Sequence, residues 1–135
     1  MSDQKPMVPT KEELELIRNY CIVPLMMKMI QKNRTDMEYS DNTLKTLYMW
    51  AADRLWEKLE QDKRRFKAEL KRIDCKVQES KRHDDSSAVY FEFWLRGYHD
   101  EFGIMKFLVV SEMSIRLGGY IARVTKDYKP SLNYD

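Results

Sequence analysis

A chain of 135 residues with 43% hydrophobic and 34% charged residues is long enough to bury the core of one domain and too apolar to stay unfolded. A formal net charge of only +2 argues against a composition-wide polyanion binder, and two cysteines are too few for a disulfide scaffold and fit a reducing compartment. The longest apolar stretch, Tyr20 to Met27, falls far short of a membrane span and contains Pro24, while Met1 to Pro9 lacks the pattern of a secretory signal. The expectation is a cytoplasmic protein that does not enter a membrane, with a flexible arm over 1–9, one domain over 10–125 and a tail over 126–135.

Thr10 and Glu13 have the spacing of a capping box, in which each side chain satisfies a backbone N–H left open at a helix start. The first helix is predicted from Lys11 to Gln31. Leu14, Ile17, Cys21 and Leu25 form one stripe on it, and Leu16, Tyr20, Val23, Met27 and Ile30 a second, so its apolar face is wide. Pro24 removes a helical hydrogen bond and predicts a kink. The polar run Lys32 to Tyr39 ends the element, and Ser40 or Asp41 caps a second helix from Asp41 to Arg72. Leu44, Leu47, Ala51, Leu55, Leu59, Phe66, Leu70 and Ile73 hold its face, and Asp62 is the misfit. A helix of this length spans roughly 45 Å, so its far end needs cover from the rest of the chain or from another copy.

At Ile73 the period changes. Ile73, Cys75 and Val77 alternate with polar residues, and Val89, Phe91, Phe93 and Leu95 do so again after a polar run, which predicts a β-hairpin over Ile73 to Leu95. The rival reading has Asp85 or Ser86 capping a helix through Tyr90, Phe91, Trp94 and Leu95, giving an all-α bundle. Gly97 and Gly103 bracket Tyr98 to Phe102, and a last helix is predicted from His99 to Arg123 on Phe102, Met105, Leu108, Val109, Met113, Leu117, Tyr120 and Ile121. Gly118 and Gly119 weaken its end by about 1 kcal/mol each and let another backbone approach. The fold class is therefore mainly α (α+β), with three long helices and a small hairpin between the second and third.

Chemistry leaves fewer marks. Cys21, Cys75, His83 and His99 include no pair at metal-ligand spacing, so neither a metal nor a cofactor is expected. Cys75 with His83 lacks a glycine-rich turn for an oxyanion, and the adjacent carboxylates of His99-Asp100-Glu101 are more often solvated charge at a helix start than an acid and base cluster, so no residue is assigned as catalytic. Between Gln61 and His83 nine basic residues face four acidic ones, and Lys63, Arg64, Lys67 and Lys71 share a flank of the second helix, with Arg72 at its end. That stripe is the candidate nucleic-acid surface; a solvated helix flank has the same pattern. Met26, Met27 and Met29 suit core filling or an adaptable interface, and Trp50, Trp56 and Trp94 suit core or hot-spot roles alike.

The stretch Val77 to Tyr120, with Tyr90-Phe91, Arg96-Gly97-Tyr98, Phe102 and Arg116-Leu117 in order, together with Tyr20 to Ile30 around Pro24, resembles the small YhjD-like proteins of Bacillus relatives and their phages. The resemblance implies a bacterial cytoplasmic setting and carries no assigned activity or catalytic residue. The leading expectation is an interaction or regulatory module working by protein–protein contact. It is expected to form a homodimer through Phe66 and Leu70 or through the Gly118-Gly119 end. The alternatives are a nucleic-acid-binding regulator using residues 63–82 and an enzyme whose site assembles only in three dimensions.

Overall fold

The computed structural model describes residues 8–41, 43–81 and 86–126, and of Leu117, Ile121, Val124 and Thr125 the backbone alone. Most of the expected arm and tail, with Arg82, His83 and Asp85, lies outside the described residues. Helix α1 covers Lys11–Glu38, α2 Lys45–Arg72 and α3 Lys106–Thr125, and strands β1 (Cys75–Ser80), β2 (Ala88–Leu95) and β3 (Tyr98–Met105) stand between the second and third helices.

The capping box forms as its spacing requires: the Glu13 N–H donates to Thr10 Oγ1 at 3.2 Å and the Thr10 N–H donates to Glu13 Oε1 at 2.9 Å. α1 then runs through Pro24 without a break and continues seven residues past the expected end at Gln31. The extra turns carry little apolar signal and are held from outside, by Arg34 against Asp53 of α2 at 3.1 Å. Ser40 does not cap α2. Its hydroxyl donates back to the Met37 carbonyl at 2.8 Å and closes α1, while α2 begins at Lys45 behind Leu44 with no side-chain cap.

α1 and α2 pack along each other as an antiparallel pair whose seam holds Ile17, Cys21, Met26, Leu55 and Leu59. Met26 and Met27 lie in this core and Met29 packs against it, so all three are core fillers. Asp74, in the left-handed region at φ 57°, ends α2 and turns the chain into β1.

The hairpin read from the change of period is present, and it has a third strand. The sheet is antiparallel in the order β1-β2-β3, with Cys75 opposite Leu95 and Leu95 opposite Tyr98. Two residues, Arg96 and Gly97, join β2 to β3 at φ 50° and 88°, the pair of positive values that a type I′ hairpin turn requires. The last helix therefore does not start at His99; Tyr98 to Met105 is strand, and α3 starts at Lys106. Phe91, Phe93, Leu95 and Ile104 face the helices and are all at most 6% exposed, so sheet and helices share one core.

Candidate interaction surfaces

The stripe predicted for nucleic acid is divided by the fold. Arg64 is paired with Glu60 one turn away at 3.7 Å, and Arg72 lies on the flank of α2 away from Lys67 and Lys71. Lys67 and Lys71 instead line an open cleft of about 480 Å³ with Tyr20 of α1 and Cys75 to Gln78 of β1. Lys63 is half-buried beside them on the helix and does not line the cleft.

Of the expected interface residues, Leu70 is covered within the chain, at 3% exposure, as part of the common core. Phe66 is half-buried under the Arg65 guanidinium, 5.0 Å from its ring centroid. Asp62, the misfit on the apolar face of α2, accepts the Tyr120 hydroxyl of α3 and pairs with Arg65 at 3.3 Å. Burial first, and Asp62 second, push the Tyr120 hydroxyl up to about 12, so it stays a donor at neutral pH. Gly118 and Gly119 are exposed, and an added methyl at either would meet open space.

α3 is apolar on two sides. Its inward arc holds Val109 and Met113 together with Glu112 and Arg116. Glu112 is gripped by Arg18 of α1 and by Arg116 at 2.7 Å, and Arg116 also donates to Asn19 Oδ1 at 2.7 Å. Burial alone would raise the Glu112 carboxyl, but the two guanidinium groups outweigh it and hold it below the usual range. The outward arc carries Phe107, Val110, Ser114, Ile115, Gly118 and Ala122, all exposed and none charged, with Phe107 64% and Ile115 77% exposed. Leu108, 48% exposed, flanks it.

The outer face of the sheet holds a polar cluster that the sequence did not reveal. His99 stacks on Trp94 with centroids 4.8 Å apart and meets Glu92 Oε2 at 3.2 Å, while Gln78 donates to Glu92 Oε1 at 2.7 Å. Asp100 points to the opposite face of the strand and accepts the Glu101 N–H, so the His99-Asp100-Glu101 run does not converge as a unit. Trp94 is half-buried here, and Trp56 donates to Glu60 at 2.7 Å.

Cys21 and Cys75 are both buried free thiols in the common core, and burial pushes them up to about 12 and about 11. They stay protonated and unsuited to nucleophilic attack. Among the described residues no group of three His, Cys, Asp or Glu side chains is placed to hold a metal ion, and no helix is long and apolar enough to cross a membrane. No curated protein and no solved structure matches the chain. The model of the family described as YhjD protein matches residues 8–125, nearly the whole length, and the chain therefore belongs to the YhjD protein family.

Proposed function

We propose that this protein is a small cytoplasmic interaction module, bacterial or phage in origin, which works by protein–protein contact and self-associates through the outer face of α3. The observation that carries the reading is the second apolar face of that helix, exposed and without charge, opposite the Val109 and Met113 that it buries. A helix at the edge of a soluble domain normally turns its apolar stripe inward and its charges outward. α3 holds an ion-paired Glu112 and Arg116 against α1 and leaves Phe107, Val110 and Ile115 outside. A second copy suits this face because it has no charge to repel its own image, and Ser114, Gly118 and Ala122 along its middle let two helices approach closely. Of the two dimer interfaces that the sequence suggested, this is the one near Gly118 and Gly119; Leu70 is already covered within the chain.

Phe107, Leu108, Val110 and Ile115 together expose roughly 400 Å² per chain, within the size range of functional patches on monomers. Two such patches with their rims reach the low end of specific interfaces, so a dimer in the micromolar range is expected. Light scattering across a concentration series tests this. A dimer that becomes a monomer on Ile115→Glu, with helicity unchanged, supports the reading; a monomer at hundreds of micromolar overturns it.

A further inference from the structure

β1 is an edge of the sheet, and the phase of its pairing decides which of its backbone groups are open. The Arg96 N–H donates to the Asp74 carbonyl at 2.9 Å, which makes Asp74 and Arg96 a hydrogen-bonded pair one step before Cys75 and Leu95. In an antiparallel ladder such pairs alternate, so Lys76, Gln78 and Ser80 bond to β2, while the N–H and C=O groups of Cys75, Val77 and Glu79 point away from it. Three open clefts follow that free edge. The first, with Lys67 and Lys71, shares Tyr20, Val77 and Gln78 with a second of about 190 Å³ under Pro24 and Leu25. The second shares Leu25, Lys28 and Glu79 with a third of about 400 Å³ that reaches Ser80, Lys81 and Lys106.

The continuous groove is basic and partly apolar. Lys28, Lys67, Lys71, Lys76, Lys81 and Lys106 line it against Asp74 and Glu79, and among the described residues none of the six forms an ion pair. Tyr20, Leu25 and Val77 supply the apolar lining between the charges. At the far end the Ser80 hydroxyl is buried, at 7% exposure, and has no hydrogen-bond partner among the described residues. A buried hydroxyl with nothing to bond to is costly, and an occupant of the groove that supplies an acceptor removes that cost.

We infer that this groove receives an extended acidic polypeptide segment, which adds to β1 as a fourth strand and sets its carboxylates among the lysines. Main-chain bonds to Cys75, Val77 and Glu79 give such a segment its register, and the alternation of its side chains suits a groove that alternates lysine with apolar contacts. A nucleic-acid strand would use the lysines but not the ordered row of backbone donors and acceptors.

The test is fluorescence anisotropy at low salt with a labelled peptide of about ten residues alternating glutamate and valine, beside a labelled single-stranded oligonucleotide of equal charge. The peptide is expected to bind, and to lose about tenfold in affinity on Lys67→Glu combined with Lys71→Glu. N-methylation of alternate peptide residues is expected to abolish binding without any change to the protein, and Val77→Pro, which removes an N–H that β2 does not use, to do the same. The inference is overturned if the N-methylated peptide binds as well as the parent, if the oligonucleotide binds and the peptide does not, or if neither binds.

Discussion

Glu13→Gln isolates one charge that ties the start of α1 to the β2–β3 turn. Arg96 reaches the Glu13 carboxylate with both terminal nitrogens, at 2.7 and 3.2 Å, and the two side chains are 17% and 14% exposed. The guanidinium bond is the main reason that the Glu13 carboxyl lies near 2 in place of 4.5, with the Thr10 bonds assisting against a smaller opposing effect of burial. A displacement of that size corresponds to about 3 kcal/mol without screening, and solvent at the open side of the pair lowers the usable share to about 1–2 kcal/mol. Glutamine keeps the reach needed for the capping box but loses the charge, so unfolding at pH 7 should become easier by that amount, or by about 4–8 °C in a chain of this size. The carboxyl is depressed in the folded state, so its contribution is complete above about 4.5 and is lost as pH falls toward about 2. Thermal or urea unfolding of both proteins at pH 7 and near pH 2 checks this. A deficit that is the same at both values would refute the argument, because it would place the loss in packing or capping and not in charge.

Gly97 stands at φ 88° in the turn, so Gly97→Ala should cost about 1–2 kcal/mol from backbone strain alone, since an added methyl meets no atom within 4 Å. Urea midpoints measure it, and an unchanged midpoint would remove the type I′ assignment. Cys21 and Cys75 should resist a thiol reagent such as dithionitrobenzoate in the native protein at pH 8 and react together on unfolding in urea. Rapid native labelling of either thiol would contradict their burial.

The features read correctly from the chain are those whose cause is local. The Thr10–Glu13 box and the change of period at Ile73 each involve residues a few positions apart, and both are present. The missed third strand has a distant cause. Two-residue hairpin turns are usually marked by Asn-Gly or Asp-Gly, and here the first position is Arg96, whose left-handed backbone accompanies a side chain held by Glu13 in another element. With that turn unrecognised, Phe102 and Met105 fell in step with the helix that follows, although the strand sends them to opposite faces. Asp62 looked like a defect because its partner, Tyr120, is 58 positions away. The candidate surfaces divide in the same manner. Lys67 and Lys71 were legible as a stripe on one helix, whereas Lys28, Lys81 and Lys106 join them only once β1 lies beside α1. On α3 the sequence marked Leu108 and Val109 alike as apolar; burial separates them, at 48% and 4% exposure, because only one faces α2 and α1.

Most of the groove and the outer face of α3 flank α2 on different sides, and Lys106, the one groove residue that belongs to α3, lies on the side of that helix away from Ile115. Asp62, which meets α3, and Lys67 with Lys71, which line the groove, project from opposite flanks of the second helix. Self-association through Phe107 and Ile115 therefore leaves the free edge of β1 open, and the two contacts should be thermodynamically independent. The expected outcome is one acidic peptide per chain, with the same affinity for the wild-type dimer and for the monomeric Ile115→Glu variant. Titration calorimetry at concentrations above and below the dimer midpoint checks both numbers. A peptide affinity that changes with protein concentration, or a stoichiometry of one peptide per two chains, would show that the second copy covers or completes the groove and would refute the separation of the two surfaces.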